Sequence, residues 1–288
     1  MCQLQPLFFL WSLFTLAVAA SFSKVHHHLH LGRDFNDKYD AAYFIGQGQW
    51  ACSPAALSAL KPAIADAQRL AQAAIDVLEV AGSETSDTYE NWFELLGNAN
   101  PRTLTELLNE HFKPAMTHFL FPSKLAGIAF DNGEIIYKVL PQDRPPSLDS
   151  LVYACPPLTQ TSGDICDPET NAATVSQFIQ NADGSIQPTG PTILALCPKF
   201  FQSTTTIDQM VQAWKTELTI EPQSQGFILL HELQHMRKAT SPSPKADDLS
   251  INSCAALPAA DKIRNAQNYP LFALDALTFP ERAKPQSQ

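Results

Sequence analysis

FILLHELQHMRK, residues 227–238, contains the pattern from which the fold and chemistry of the chain can be predicted. Its four apolar residues lead directly into an HExxH string that begins at His231 and ends at His235. On a helix, residues i and i+4 face the same way, so both imidazoles can reach one metal ion. Glu232 is placed to take a proton from water on that metal. The stretch therefore predicts a buried helix that carries a zinc site.

A catalytic zinc site needs a third protein ligand, and the downstream residues narrow the choice. No His follows His235, which excludes an HExxHxxGxxH arrangement. The only downstream Glu is Glu281, in a polar segment after Pro280, which is a poor place for a rigid ligand. The third ligand is therefore expected to be an aspartate.

Four aspartates follow the HExxH string. Asp261 and Asp275 lie in a predicted helix, where a solvated face is the favoured role. Asp247 and Asp248 are the last two residues of the turn-rich loop TSPSPKADD at 240–248, which can fold back over the metal from 12 or 13 residues beyond His235. The residues alone thus favour a ligand from this pair and leave open which of the two it is.

Length, composition and charge limit the class of protein. The chain has 288 residues, of which 45% are hydrophobic and 17% are charged, as expected for a globular protein. Its formal net charge of −10 argues against nucleic acid or an anionic membrane as the main partner. We expect a monomer, and the HExxH string rather than the composition suggests that it acts on polypeptides.

The N-terminus has the pattern of a secretory signal peptide over residues 1–20. An apolar run from Leu7 to Val18 is followed by small residues that suit signal peptidase. The run is too short to span a bilayer comfortably, although the segment before it lacks Lys and Arg. A retained N-terminal anchor helix is the alternative. We predict a secreted, extracellular protein with no membrane contact once the signal is removed.

The number of cysteines is also consistent with an exported protein. Five remain after the signal, which predicts two disulfides and one odd thiol. Cys155 and Cys166 close a short loop and are expected to pair. A bond between Cys197 and Cys254 is the second expectation.

The chain divides into segments of different amino-acid composition. Residues 21–52 form an N-terminal segment with a His-rich tract at 26–30, interpreted as a solvated tail or as an accessory metal-binding tail. A single catalytic domain is expected over 53–278, followed by a polar tail at 279–288.

The domain is predicted to be helical over 53–125 and to hold the sheet and the HExxH helix over 126–278. Ser53 is a natural N-cap for a helix over 53–80, with Pro54 at its first position. Further helices are expected at 85–97, 102–120, about 207–218 and 259–277, the last interrupted at Pro270.

Strands are predicted after residue 125. Residues 127–140 alternate on either side of Asp131-Asn132-Gly133, which indicates a hairpin. A second strand and turn are expected within 174–186. A buried strand, whose residues are Thr192, Ile193, Leu194, Ala195 and Leu196, is expected to pair with an extended substrate. The predicted fold class is α+β, a mainly helical zincin-like metalloprotease fold with a small β-sheet.

Several stretches resemble the fungal deuterolysin-type zinc endopeptidases, or aspzincins, which include the peptidyl-Lys metalloendopeptidases. They are HELQH at 231–235, PTILALCPKFF at 191–201, ALKPAIADAQRLAQAA at 59–74, YENWFELLG at 89–97 and NAQNYPLFALDAL at 265–277. The resemblance covers most of 55–277. It implies one Zn²⁺ per chain and an Asp ligand a dozen or so residues after the HExxH string.

The third-ligand motif departs from the family pattern. That motif typically reads GTxDxxYG, and the corresponding stretch here is KADDLSIN at 245–252. Aligning the Asp makes Asp248 the ligand, with Asp247 as the alternative. It also puts Ile251 where the family has a Tyr. Tyr269 is a possible replacement as oxyanion donor, and its alternative role is a packed core aromatic.

The resemblance and the HExxH string together predict a secreted zinc-dependent endopeptidase. Its metal ligands would be His231, His235 and Asp248, and Glu232 would handle the proton of the attacking water. The alternative is a zinc-binding or surface-interaction protein on the same fold that does not hydrolyse peptides.

Overall fold

The computed structural model describes residue 39 and residues 41–93, 101–126, 128–131, 134–137, 146–159, 164–180, 186–236, 240 and 250–285. The predicted signal peptide, the His-rich tract and the Asp247-Asp248 pair lie outside the described residues.

Ten α-helices lie in this part of the chain. They are α1 (Pro54–Leu78), α2 (Asp87–Phe93), α3 (Pro101–Leu107), α4 (Lys113–His118), α5 (Pro198–Gln202), α6 (Ile207–Glu217), α7 (Gln225–Leu233), α8 (Ile251–Ala256), α9 (Ala259–Lys262) and α10 (Asn268–Thr278). A 3₁₀ turn covers Ser83–Thr85, and a π-helical turn, Leu108–Phe112, joins α3 to α4. Helical structure lies in every segment for which periodicity predicted it, although 102–120 is divided into α3, the π-helical turn and α4. The interruption predicted at Pro270 is wrong: Pro270 lies in the first turn of α10, where a missing N–H costs little, and the break between α9 and α10 falls at 263–267.

The described strands form a five-stranded sheet and a separate hairpin. They are β1 (Ala41–Ile45), β2 (Lys124–Ala126), β3 (Ile128–Asp131), β4 (Glu134–Tyr137), β5 (Ser150–Ala154), β6 (Ala172–Gln180) and β7 (Ile186–Leu196). The sheet order is β2-β1-β5-β7-β6, and β3 pairs with β4. Only β6 runs antiparallel to its neighbour in the larger sheet. The fold is α+β, as predicted.

Helix α1 is the central helix of the fold, and its sequence explains why. The Ser53 hydroxyl accepts from the backbone N–H of Ala56 at 3.1 Å, which caps the first turn. Its buried face repeats every three or four residues and is rich in alanine. That face consists of Leu60, Ala63, Ile64, Ala67, Leu70, Ala71, Ala74, Ile75, Val77 and Leu78. Because the alanines are short, other helices can approach α1 closely.

The predicted hairpin is confirmed, and the order of elements needs one correction. Strands β3 and β4 pair antiparallel, with Asp131 opposite Glu134. However, the sheet does not begin after residue 125. Strand β1 precedes α1, lies in the N-terminal segment 21–52 that was expected to stand before the catalytic domain, and pairs in parallel with both β2 and β5.

The two disulfides differ from the predicted pairs. Cys52 bonds to Cys155, and Cys166 bonds to Cys197. The expected Cys155–Cys166 and Cys197–Cys254 bonds are therefore wrong, although the number of disulfides is right. Cys254 is buried and keeps its thiol, which contacts Asn265 Oδ1 at 3.7 Å. Cys155 and Cys197 directly follow β5 and β7, and their partners lie in loops next to the strands that pair with β5 and β7. The prediction relied on closeness in sequence instead.

The segment after α10 packs onto the domain as far as residue 285. The Arg282 carbonyl accepts from the backbone N–H of Thr88 at 3.4 Å, and Ala283 is buried. This part of the predicted polar tail is therefore docked. In the part of the chain that the structure describes, no helix has the length and apolar character needed to cross a bilayer.

Candidate metal centre

Helix α7 carries the HExxH string and is held by its cap and its apolar face. The Ser224 hydroxyl accepts from the backbone N–H of Phe227 at 3.2 Å and so satisfies a donor of the first turn. The four apolar residues of 227–230 are all buried, and α7 packs on α1, α10 and β6. The helix is therefore fixed on several sides before its histidines are reached.

Gly226 permits the closest contact between α7 and α1. A Cβ atom at this position would lie 2.4 Å from Asp66 Cβ and 2.8 Å from the Ala67 backbone nitrogen. Real Cβ atoms do not approach other atoms so closely. The absence of a side chain thus sets the distance between the two helices, and with it the position of the histidines.

His231 and His235 face each other. Their Nε2 atoms lie 3.2 Å apart, and their ring planes are inclined by 66°. Two nitrogens bound to one tetrahedral zinc ion at about 2.0–2.1 Å are separated by about 3.3 Å. His231 is buried and His235 is partly buried, so the pair is shielded on the protein side. The two imidazoles therefore fit a shared zinc ion.

The backbone changes from α-helical to tighter turn hydrogen bonding between the two histidines, where α7 ends. Helix α7 ends at Leu233, and His235 lies in the following turn, in which its N–H bonds to the Glu232 carbonyl at 3.0 Å. Such i→i−3 bonds are typical of a final helical turn. Thr240 then anchors the turn, because its N–H bonds to the Met236 carbonyl at 2.9 Å. The prediction that both histidines lie on one helix is thus correct for His231 only.

Glu232 lies between the histidines in sequence and is only 5% exposed. Its Oε2 accepts a hydrogen bond from Thr174 Oγ1 at 2.9 Å, and its carbonyl oxygen lies 3.1 Å from the same hydroxyl. Thr174 belongs to β6, which runs beside α7. A buried carboxylate is costly unless it is hydrogen-bonded, and this contact meets part of that cost.

A second buried contact supports the middle of the string. His111 Nδ1 lies 2.9 Å from Gln234 Oε1, and both side chains are buried. His111 and the next residue, Phe112, are buried together in the π-helical turn. Turns of this type often occur at functional sites. No sequence pattern marks Thr174 or His111 as a site residue, because only the tertiary fold brings them to α7.

The aspartates predicted to supply the third ligand, Asp247 and Asp248, lie outside the described residues. Among the described residues, no group of three His, Cys, Asp or Glu side chains could hold a metal. Ser250 caps the N-terminus of α8. Ile251, which the resemblance aligns with a Tyr of the aspzincins, packs partly buried against the core.

Tyr269 does not serve the site as an oxyanion donor. It is fully buried, its hydroxyl donates to the Ile263 carbonyl at 2.7 Å, and its ring lies 4.5 Å from that of His111. Burial raises the pKa of this phenol well above its ordinary value. Its hydroxyl proton is therefore used in a hydrogen bond within the core. The interpretation of Tyr269 as the oxyanion donor is wrong.

Of the two aspartates expected on a solvated helix face, one is buried. Asp261 is exposed on α9, as expected. Asp275, in contrast, is 1% exposed and accepts from Thr88 Oγ1 at 2.9 Å and from Trp214 Nε1 at 3.1 Å. It is a structural acceptor that joins α10 to α2 and α6.

The strand predicted to pair with substrate is not available for it. Residues 192–195 pair with β5 on one side, and residues 192–196 pair with β6 on the other. An extended peptide needs a free edge, so pairing of substrate with Thr192–Leu196 is wrong. Within the described part of the sheet, the edge nearest α7 is β6. The Cys166–Cys197 disulfide ties the loop before β6 to the end of β7.

Comparison with known proteins gives limited information. No protein-family model and no curated protein matches the chain. Among solved structures, a zinc peptidase from Grifola frondosa is similar, with a TM-score of 0.43 and 19% sequence identity. The match covers 78% of this chain and 97% of that one. At this level the likeness carries neither a site nor an activity over to this chain.

Proposed function

We propose that the chain is a secreted zinc-dependent endopeptidase. The observation that carries the proposal is the His231–His235 pair, whose Nε2 atoms are 3.2 Å apart, with the buried carboxylate of Glu232 between them in sequence. Zinc binding alone requires the histidines but does not require a base between them. The carboxylate therefore favours hydrolysis over simple metal storage.

The metal would be held by His231, His235 and one aspartate. Asp248 is the proposed third ligand, on the resemblance described above, and Asp247 is the alternative. Zinc supplies two things when it is bound: water of lowered pKa and polarisation of the scissile carbonyl. The buried helix α7 restricts the movement of the histidine ligands. Catalysis requires such fixed ligand positions.

Glu232 handles the proton. Its carboxylate takes a proton from the attacking water and later returns it to the leaving amine. Thr174 Oγ1 holds one carboxylate oxygen at 2.9 Å, which limits rotation of the group. The substrate is a polypeptide in extended conformation, and its backbone would pair with β6, the edge strand beside α7.

Secretion is supported by the signal-like sequence at 1–20 and by two disulfides. Disulfides persist in oxidising compartments. Secretion of the full-length chain from a eukaryotic host, with loss of the first residues, is the expected result. A cell-associated product that keeps its N-terminus would support the anchor alternative.

A zinc-binding protein without peptidase activity is the second candidate. It is favoured by one observation: neither Ile251 nor Tyr269 offers a hydroxyl to the site, so the family's oxyanion donor is missing at both positions. Such a protein would retain one zinc ion per chain and would hydrolyse no member of a diverse peptide library.

Casein hydrolysis tests the proposed function. We expect hydrolysis by the purified secreted protein, loss of hydrolysis on chelation, and recovery when zinc is restored. The Glu232→Gln variant should keep its zinc and lose activity by at least about a hundredfold, because it removes the general base. Equal activity in the native, chelated and Glu232→Gln proteins would refute the proposal.

Two matched variants identify the third ligand. Asp248→Asn should lower zinc occupancy at a limiting zinc concentration, since the loss of a ligand weakens binding, whereas Asp247→Asn should retain it. The opposite result would assign the ligand to Asp247. Full retention of zinc in the double variant would exclude both.

A further inference from the structure

The contact between Thr174 and Glu232 joins the sheet to the proposed active site. Thr174 lies on β6 and pairs in register with Leu194 of β7. From there its hydroxyl reaches both Oε2 and the backbone oxygen of Glu232, at 2.9 and 3.1 Å. These contacts span 58 residues of sequence. The contact therefore depends on the packing of the edge strand against α7.

The residue type suits a fixed contact. Threonine is β-branched, so its χ1 angle is restricted on a strand and the hydroxyl has few alternative positions. The hydroxyl carries one proton, and the ionised carboxylate is a stronger acceptor than the carbonyl oxygen. A hydrogen bond to Oε2 consequently sets the rotation of the Glu232 carboxylate about its own axis.

The disulfide near β6 supports the same arrangement. Cys166 lies in the loop before β6, and Cys197 follows β7 directly. The backbone N–H of Cys197 also bonds to the carbonyl of Asn171, one residue before β6, at 2.9 Å. The start of β6 is thus tied covalently and by hydrogen bonds to the strand beside it. Thr174 sits three residues past Asn171, where little displacement is possible.

We propose that Thr174 is a positioning residue for Glu232: its hydroxyl orients the carboxylate toward the water that attacks the peptide bond. This inference rests on the proposed function of Glu232 as general base. Thr174 acts through Glu232 and has no contact with substrate in this role. Groups that orient a catalytic ligand or base from a second layer typically contribute about 10- to 100-fold to activity.

The test compares four variants. Thr174→Val keeps the shape and removes the hydroxyl, Thr174→Ser keeps the hydroxyl and removes the methyl group, and Thr216→Val removes a hydroxyl from the remote helix α6. We expect Thr174→Val to lower kcat by about 10- to 100-fold with zinc content unchanged and KM changed by less than about twofold. Thr174→Ser should restore most of kcat, and Thr216→Val should behave as wild type. Thr174→Ala, which cannot overpack, should match Thr174→Val.

Coupling to Glu232 distinguishes positioning from a purely structural role. In a Glu232→Gln background, Thr174→Val should change the residual rate by less than about twofold, since the group that Thr174 orients is already gone. An equal loss in both backgrounds would overturn the inference. Wild-type kcat in Thr174→Val, or a Thr174→Ser variant no better than Thr174→Val, would overturn it as well.

Binding of acetohydroxamate provides a readout that does not depend on turnover. A hydroxamate ligates the metal and donates a proton to the neighbouring carboxylate, so its affinity for the zinc-loaded protein should fall about tenfold or more in Thr174→Val. If the wild type binds zinc and hydrolyses nothing, the proposed function fails and this affinity alone judges the role of Thr174. Equal affinity in the two proteins would then overturn the inference.

Discussion

Replacement of Gly226 by alanine should show how the helix contact controls the metal centre. The new Cβ would lie 2.4 Å from Asp66 Cβ, about 1 Å closer than ordinary contact, and 2.8 Å from the Ala67 nitrogen. Rotation of a side chain cannot relieve these overlaps, because the contacted atoms belong to the α1 backbone or are attached to it directly. The helices must separate, and α7 must move with its histidines.

The expected cost follows from two opposing effects. Overpacking in a core typically costs about 1–3 kcal/mol, and the upper end applies where backbone must move. Alanine in place of glycine stabilises a helix by about 1 kcal/mol, which offsets part of this cost. The net destabilisation is about 2 kcal/mol. For a domain of this size that corresponds to a fall in Tm of about 4–8 °C.

Calorimetry and casein hydrolysis measure the two consequences. A shift of α7 by up to about 1 Å should reduce activity by about a hundredfold, because misplacement on this scale disrupts catalytic geometry. Gly82→Ala is the matched control: Gly82 has φ +84°, where alanine costs about 1–2 kcal/mol, and the new Cβ would meet only Pro285, at ordinary contact distance. It should lower Tm and leave activity per folded molecule unchanged. A Gly226→Ala protein with wild-type Tm and activity would refute the reasoning.

Three further predictions concern the core and the disulfides. Tyr269→Phe should cost about 1 kcal/mol, since it removes one hydrogen bond, and should leave kcat unchanged; a loss of kcat at constant zinc would restore the oxyanion role. Asp275→Ala should cost about 3 kcal/mol in urea unfolding, because two buried donors lose their acceptor; an unchanged midpoint would contradict its structural role. Peptide mapping without reduction should recover the pairs Cys52–Cys155 and Cys166–Cys197, and a Cys155–Cys166 peptide would contradict the topology.

Local features of the fold could be predicted from sequence because their signals are local. Ser53 before Pro54 indicated where α1 begins, and the Asn-Gly pair indicated the hairpin. The HExxH spacing brought His231 and His235 together because four residues make about one helical turn. Each of these inferences used contacts between residues only a few positions apart.

The errors arose where the structure depends on distant parts of the chain. Strand β1 pairs with strands about 80 and 110 residues later, and its short sequence, AAYFI, has weak strand character at its first two residues. The Cys52–Cys155 bond follows the parallel pairing of β1 with β5, and the Cys166–Cys197 bond follows the antiparallel pairing of β6 with β7, so closeness in sequence was misleading. Whether β7 is an edge or a central strand also depends on β5 and β6, which are separate segments.

The burial of Asp275 can be predicted from the apolar composition of the helix that carries it. It lies on α10, where apolar residues occupy nearly every face, and a charged residue on such a helix is expected to be buried with partners. Thr174 had no such signal, because a threonine on a predicted strand is common. Its role depends on its distance to Glu232, which only the folded chain defines.

The zinc content of the purified protein tests the central claim most directly. After chelation and reconstitution with zinc, metal analysis should find one zinc ion per chain in the wild type. The His231→Ala variant should hold far less zinc at the same free zinc concentration. It would keep only one of the two imidazole nitrogens that face each other at the site. A folded wild type that takes up no zinc, or a variant that takes up as much as wild type, would contradict the account.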